Sequence, residues 1–113
     1  MQTVIETNAY LSAAKAIGMT ADEMKDAVDT VSGDPLVGDL IVGSGGCRKV
    51  RISGRGKGKS GGYRIVTFSA GDFGVFLLWV LSKGRTANLS AKQVNALALA
   101  TTTLTAALKQ PVK

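Results

Sequence analysis

Seven consecutive apolar residues, Val75 to Leu81, with Phe73 just ahead of them, constrain the fold of this chain more than any other feature. Such a run offers no polar position to solvent, so as a strand it must be covered on both faces, which places it at the centre of a sheet. It is far short of the roughly 20 residues that a membrane-spanning helix requires, and no membrane association is expected. The first residues, Met1 to Asn8, include Glu6 and lack the basic start and apolar core of a secretory signal, so a cytoplasmic location is expected. The single cysteine, Cys47, permits no internal disulfide, which suits a reducing compartment. A length of 113 residues with 45 % apolar content is enough for one core, and the expectation is a single domain over residues 1–113.

Around that run the periodicity changes along the chain. Thr3 to Glu6 is a short β-branched stretch, and Tyr10, Leu11, Ala14 and Ile17 then recur at helical spacing until Gly18. Thr20 with Glu23 three residues later makes a capping-box pattern, followed by Met24, Ala27, Val28 and Val31 at helical intervals as far as Gly33 and Pro35. Beyond Leu36 the pattern is that of strands. Leu40 to Val42 is short and apolar, Cys47 to Ile52 alternates basic and apolar residues, and Tyr63 to Ser69 sets Tyr63, Ile65 and Thr67 against Arg64, Val66 and Phe68. Ser90 with Gln93 opens a last helix carrying Val94, Leu97, Ala98, Thr101, Leu104 and Leu108 on one face. The order predicts an α+β fold: an antiparallel sheet with two N-terminal helices and a C-terminal helix.

Charge is segregated. The chain has 14 Lys and Arg against 8 Asp and Glu, a net of +6. Residues 1–39 contain seven acids and only two bases, whereas the remainder has twelve bases and a single acid, Asp72. Solubility does not require such segregation, but a face that meets a polyanion does, and nucleic acid is the polyanion most often met by a small basic domain.

Half of the bases fall between residues 47 and 64: Arg48, Lys49, Arg51, Arg55, Lys57, Lys59 and Arg64, with no acid between Asp39 and Asp72. Side chains two apart on a strand share a face, so Lys49 and Arg51 point together while Val50 and Ile52 point to the core. A hairpin returning through Tyr63 would bring Arg64 onto the same surface. Like charges at close quarters repel unless an anion lies among them, so the cluster reads as a phosphate site. The alternative is a solvated basic hairpin with no specific ligand. Gly56, Gly58 and Gly61 satisfy G-x-G-x-x-G, and Gly58-Lys59-Ser60 resembles the tail of a P-loop, but both motifs need a following helix where Tyr63 to Ser69 reads as a strand. Nucleotide binding is therefore not expected. The loop glycines are better suited to laying backbone N–H groups, with Lys57 and Lys59, along a chain of phosphates.

The chain has no histidine, which removes the usual acid and base of ribonucleases, and it has no Cys/His cluster for zinc. Its acids lie mostly in the helical part, so neither a metal nor a cofactor is expected. If RNA is cut, Lys, Arg and Tyr must do it. Cations can stabilise a pentacoordinate phosphoryl transition state, clustered cations can lower the pKa of a neighbouring lysine, and the attacking group would be the substrate's own 2′-hydroxyl.

Several stretches together strongly resemble the RelE/HigB toxins of bacterial type II toxin–antitoxin systems: Gly38-Asp39-Leu40-Ile41, Gly43 to Arg51, Gly56 to Ile65, Phe76-Leu77-Leu78, Ser82-Lys83 and Asn88-Leu89-Ser90. The likeness is closest to the HigB branch, with its long glycine-rich hairpin loop. The resemblance implies a sheet flanked by helices, similar to microbial ribonucleases, that enters the ribosomal A site (30S subunit) and cleaves the messenger RNA there. It implies catalytic roles for Lys49, Arg51, Arg64 and Lys83, with one of the strand residues a candidate general base and Arg64 at the scissile phosphate. Arg48, Arg55, Lys57, Lys59, Tyr63 and Arg85 would bind RNA. A tyrosine that the founding branch uses would fall near Leu89 and is absent, so stacking on the substrate base must come from elsewhere or be dispensed with. The resemblance also implies a cognate antitoxin partner, and contact with operator DNA only through it. Trp79 reads as core or edge packing, with base stacking as the alternative, Cys47 as a small core filler rather than a catalytic thiol, and Tyr63 as either sheet packing or an RNA contact. A non-catalytic RNA- or DNA-binding module remains the alternative.

Overall fold

The computed structural model describes residues 2–53, 62–82 and 89–109. Three of its helices and strands begin where a hydroxyl side chain can satisfy free backbone N–H groups. Thr7 accepts from the Tyr10 N–H and opens α1 (Asn8–Ala16). Thr20 and Glu23 form both bonds of the expected capping box at the start of α2 (Ala21–Gly33), and Ser90 and Gln93 do the same for α3 (Ala91–Leu108). The strands are β1 (Val4–Glu6), β2 (Asp39–Leu40), β3 (Cys47–Ile52), β4 (Tyr63–Ser69) and β5 (Val75–Ser82).

They form one sheet in the order β1-β5-β4-β3-β2. The expected antiparallel arrangement holds for β2 through β5, but β1 pairs with β5 in parallel, so the sheet is mixed. Because β1 and β2 occupy opposite edges, α1 and α2 have to cross one face of the sheet to connect them. Thr7 ties that crossover down, donating its hydroxyl to the Leu77 carbonyl at 2.7 Å.

The apolar run needs two corrections. Phe73 is not part of the strand: it ends a short 3-10 turn, Gly71–Phe73, and is half exposed, because β4 and β5 are joined by a tight hairpin closed through the Ala70 N–H to Gly74 carbonyl bond at 2.8 Å. The strand also lies between β1 and β4 rather than at the centre, which belongs to β4.

Alternation along the strands divides the core in two. On the side covered by α1 and α2, Val50, Ile52, Ile65, Leu77 and Val80 pack against Tyr10, Ala14, Ala27 and Val31. On the other side, Ile41, Cys47 and Val66 form a smaller cluster with Phe68, Leu78, Leu89, Val94 and Leu97. The face of α3 foreseen from its spacing is the one turned inward, although only Thr101 is fully buried. The Thr101 hydroxyl reaches the Ser44 carbonyl at 3.3 Å and so fastens the helix to the turn before β3.

Cys47 is fully buried in this second cluster, in agreement with a packing role. Burial pushes its thiol up, and hydrogen bonding with Ser44 only partly opposes that shift. The native protein at pH 8 is therefore expected to react with an aromatic disulfide reagent at least about 100-fold more slowly than the unfolded chain. Prompt release of one equivalent of chromophore without denaturant would contradict the burial.

Gly38 sits where the chain turns into β2, with φ at +95°, and a Cβ there would run into the Lys49 backbone carbonyl oxygen. Its own carbonyl accepts from the Arg48 guanidinium at 3.0 Å. Backbone cannot give way as a side-chain end can, so Gly38→Ala is expected to lower stability by about 1–3 kcal/mol. Urea unfolding measures this, and an unchanged midpoint would show that β2 does not approach β3 so closely.

Candidate nucleic-acid interface

The β3–β4 register sets Arg51 directly opposite Arg64 and Lys49 opposite Val66. Since Val66 belongs to the cluster beneath α3 while Val50, Ile52 and Ile65 belong to the α1/α2 side, Lys49, Arg51 and Arg64 all stand on the α3 side of the sheet. Arg51 is exposed and the other two are partly so. None of the three makes a hydrogen bond or ion pair among the described residues, whereas Lys25 and Asp29 pair on the exposed surface of α2. The shared surface foreseen from strand alternation is thus the observed arrangement.

Other residues singled out from the sequence are placed differently. Arg48 lies one step out of phase, on the opposite face, and is engaged by the Gly38 carbonyl. Tyr63 also faces the α1/α2 side: it packs against the larger core cluster, and its hydroxyl donates to Glu23 Oε1 at 3.1 Å. Of its two readings, sheet packing describes its position. Burial pushes the Tyr63 hydroxyl up, and the hydrogen bond to Glu23 and the charge of that carboxylate add to the shift. Glu23, itself only 1 % exposed, also accepts the Thr20 N–H at 2.8 Å, so one carboxylate joins the start of α2 to the start of β4. Arg55, Lys57, Lys59, Lys83 and Arg85 lie outside the described residues.

Two features of the surface were not foreseen. Asp39, read with the acidic part of the chain, is the β2 partner of Lys49, so one carboxylate stands at the edge of the cationic face. Charge counted along the sequence cannot reveal a neighbour that strand pairing creates. The second is Trp79, which is 41 % exposed and opposite Val66 on the same face, not in the core. Nothing in an unbroken apolar run distinguishes it, because its direction depends on a β-bulge.

Among the described residues no group of three or more His, Cys, Asp or Glu side chains could hold a metal ion. No helix among them is long and apolar enough to cross a membrane. The chemistry this face offers is that of the Lys49, Arg51 and Arg64 cations held on one side of the sheet, suited to holding a phosphodiester and stabilising charge that develops on it.

The family model described as the RelE toxin of the RelE/RelB toxin–antitoxin system matches residues 2–113. The chain belongs to the RelE toxin family. It is accordingly a toxin of a toxin–antitoxin system, a member of a family that pairs with cognate antitoxins and whose toxins are generally endoribonucleases. The mixed sheet with two N-terminal helices and one C-terminal helix is consistent with the RelE fold. Within this toxin the cationic hairpin is the best-built polyanion surface among the described residues.

Proposed function

We propose that this toxin cleaves messenger RNA bound in the ribosomal A site, holding the scissile phosphate between Arg51 and Arg64. The observation that carries the reading is the register that sets these two arginines face to face, with Lys49 two residues along and no carboxylate bonded to any of them among the described residues. Like charges directly opposite one another destabilise a sheet, so the arrangement is accounted for by an anion between them. Arginine forks suit a phosphodiester, and they strengthen their hold as negative charge builds up in the transition state. Lys49, as a neutral amine, would take the proton from the attacking 2′-hydroxyl, while Arg51, which stays charged, would only stabilise the transition state. The 2′-oxygen would bond to phosphorus as the bond to the 5′-oxygen breaks, and that oxygen would leave with a proton from solvent, so the reaction would need no metal. Lys83 would add a fourth cation, and Arg55, Lys57, Lys59 and Arg85 would follow the RNA backbone on either side. Arg48 and Tyr63 would support the hairpin from its other face. The family's antitoxin would neutralise the toxin, and operator DNA would be met only through it.

The test is purified toxin added to ribosomes carrying a defined message, with the 5′ ends mapped afterwards. New ends within the A-site codon are expected from wild type and not from Arg64→Ala. A correctly folded wild-type protein that binds RNA in a salt-sensitive manner, yet produces no more ends than Arg64→Ala, would establish the non-catalytic binding module instead.

A further inference from the structure

Along β5, Val75 and Leu77 point into the core beneath α1 and α2, and regular alternation would send Trp79 the same way. It does not go there. The register runs Thr67 to Leu77 but Val66 to Trp79, so Leu78 is an extra residue on β5 and the phase reverses across it. Leu78 joins the cluster under α3, Trp79 comes out on the face of Val66, and Val80 is back in the larger core. The bulge thus turns the indole out of the core and leaves it 41 % exposed.

Its surroundings are specific. Lys49, Val66 and Trp79 form one row across three strands, while Arg51, Arg64 and Leu81 form the next. Trp79 and Arg64 are therefore diagonal neighbours on one face, a spacing of about 7–8 Å that long and aromatic side chains bridge readily. The indole also forms one wall of a cleft of about 450 Å³ whose other walls include Val66, Leu78, Leu89 and Leu97. A flat apolar surface beside cations that make no ion pair among the described residues complements a nucleotide, in which a flat base is joined to an anion.

We propose that Trp79 stacks on an unpaired nucleobase of the RNA whose phosphate Arg64 holds, which makes it a substrate-positioning residue of the ribonuclease site proposed above. Charge is what favours RNA here over an apolar segment of a protein partner, since such a segment would leave the opposed Arg51 and Arg64 without an anion between them.

Trp79 is the chain's one tryptophan, so its emission reports on this position alone. The full chain is titrated with a short single-stranded RNA made wholly of 2′-O-methyl nucleotides, which cannot undergo attack by a 2′-hydroxyl, and with an abasic oligomer of equal length. Occupancy is followed separately by the anisotropy of a terminal dye. Base-bearing RNA is expected to quench the emission saturably, while the abasic oligomer at equal occupancy leaves it nearly unchanged. Trp79→Ala should weaken binding of the base-bearing RNA by about 5–150-fold, corresponding to one lost base stack, and Trp79→Phe should retain most of the affinity. Arg64→Ala should weaken both oligomers.

The proposal is overturned by equal quenching from both oligomers, by no emission change with base-bearing RNA, or by wild-type affinity in a folded Trp79→Ala. It is also overturned if only a protein partner, and not RNA, alters the emission, since the cleft then belongs to that partner. Base-dependent quenching by a protein that leaves ribosome-bound message uncut would refute the nuclease reading and leave the stacking role standing, so the two fail separately.

Discussion

Replacing Arg64 by glutamine is expected to reduce message cleavage by about 10²–10³-fold, the usual effect of removing one charged donor from a transition state, without reducing stability. Arg64 stands opposite Arg51 in the β3–β4 pair and makes no hydrogen bond or ion pair among the described residues. Glutamine keeps most of the aliphatic stem that covers the sheet and removes only the charge. Relief of a directly opposed like-charge pair is worth about 0.2–1 kcal/mol, a rise of a few degrees in Tm for a domain of this size. Arg51→Gln should behave alike, and the double variant should gain less than the sum of the two because either change alone removes the repulsion. Arg64→Lys should recover only part of the activity, since an ammonium lacks the planar fork. Single-turnover cleavage on programmed ribosomes and thermal unfolding of the same preparations measure both quantities. Activity within a few-fold of wild type, or a loss that merely follows unfolding, would remove Arg64 from the chemistry.

The second large effect concerns Tyr10, which is completely buried at the centre of the larger core, with a hydroxyl that has no hydrogen-bond partner among the described residues. Burial, helped by the nearby Glu6 carboxylate, pushes that hydroxyl up to about 12. An unfolded tyrosine loses its proton near pH 10, so between pH 10 and about 12 the unfolded chain holds fewer protons than the native one, and stability falls as pH rises. The contribution is fully present below pH 10, and about 2–3 kcal/mol of it is lost across that window. Tyr10→Phe should remove this part of the alkaline dependence, leaving the part that belongs to Tyr63, whose hydroxyl is raised in the same direction. At pH 7 the same change should be neutral or stabilising by about 1 kcal/mol, because it deletes an unsatisfied buried hydroxyl. Tyr10→Ala should instead cost about 3–5 kcal/mol, since the ring leaves a cavity among Ala14, Val31 and Leu77. Urea unfolding at pH 7, 9, 10 and 11 distinguishes the three chains, and a Tyr10→Phe protein with the full wild-type alkaline slope would refute the assignment.

Much of this fold is written in local spacing. The capping boxes at Thr20 and Ser90 formed as their residues allow, because each needs only groups three residues apart. Alternation in Cys47–Ile52 and Tyr63–Ser69 separated the two faces of the sheet correctly, and with them the common face of Lys49, Arg51 and Arg64, because a strand's two-residue period leaves no choice once one residue's direction is fixed. The resemblance to RelE toxins rested on the same segments and agrees with the family to which the chain belongs.

What local spacing left undecided involves partners far apart along the chain. The parallel pairing of β1 with β5 joins residues about seventy apart, and periodicity carries no sign of strand direction. The contact of Asp39 with the cationic row exists only because β2 pairs with β3 in one register. Tyr63 turned toward Glu23 because a buried carboxylate needs a donor, and α2 presents that carboxylate only after it has crossed the sheet. Trp79 shows the limit most clearly. Its residue type and apolar neighbours suit the core, yet one unpaired residue, Leu78, reverses the phase of β5 and brings the indole to the surface beside Arg64. Residue order along this chain thus suffices to say which side chains are charged, which segments bend into helices and which alternate. Where a strand slips by one residue against its neighbour depends on how the two faces fill, and that balance of packing exists only in the assembled sheet.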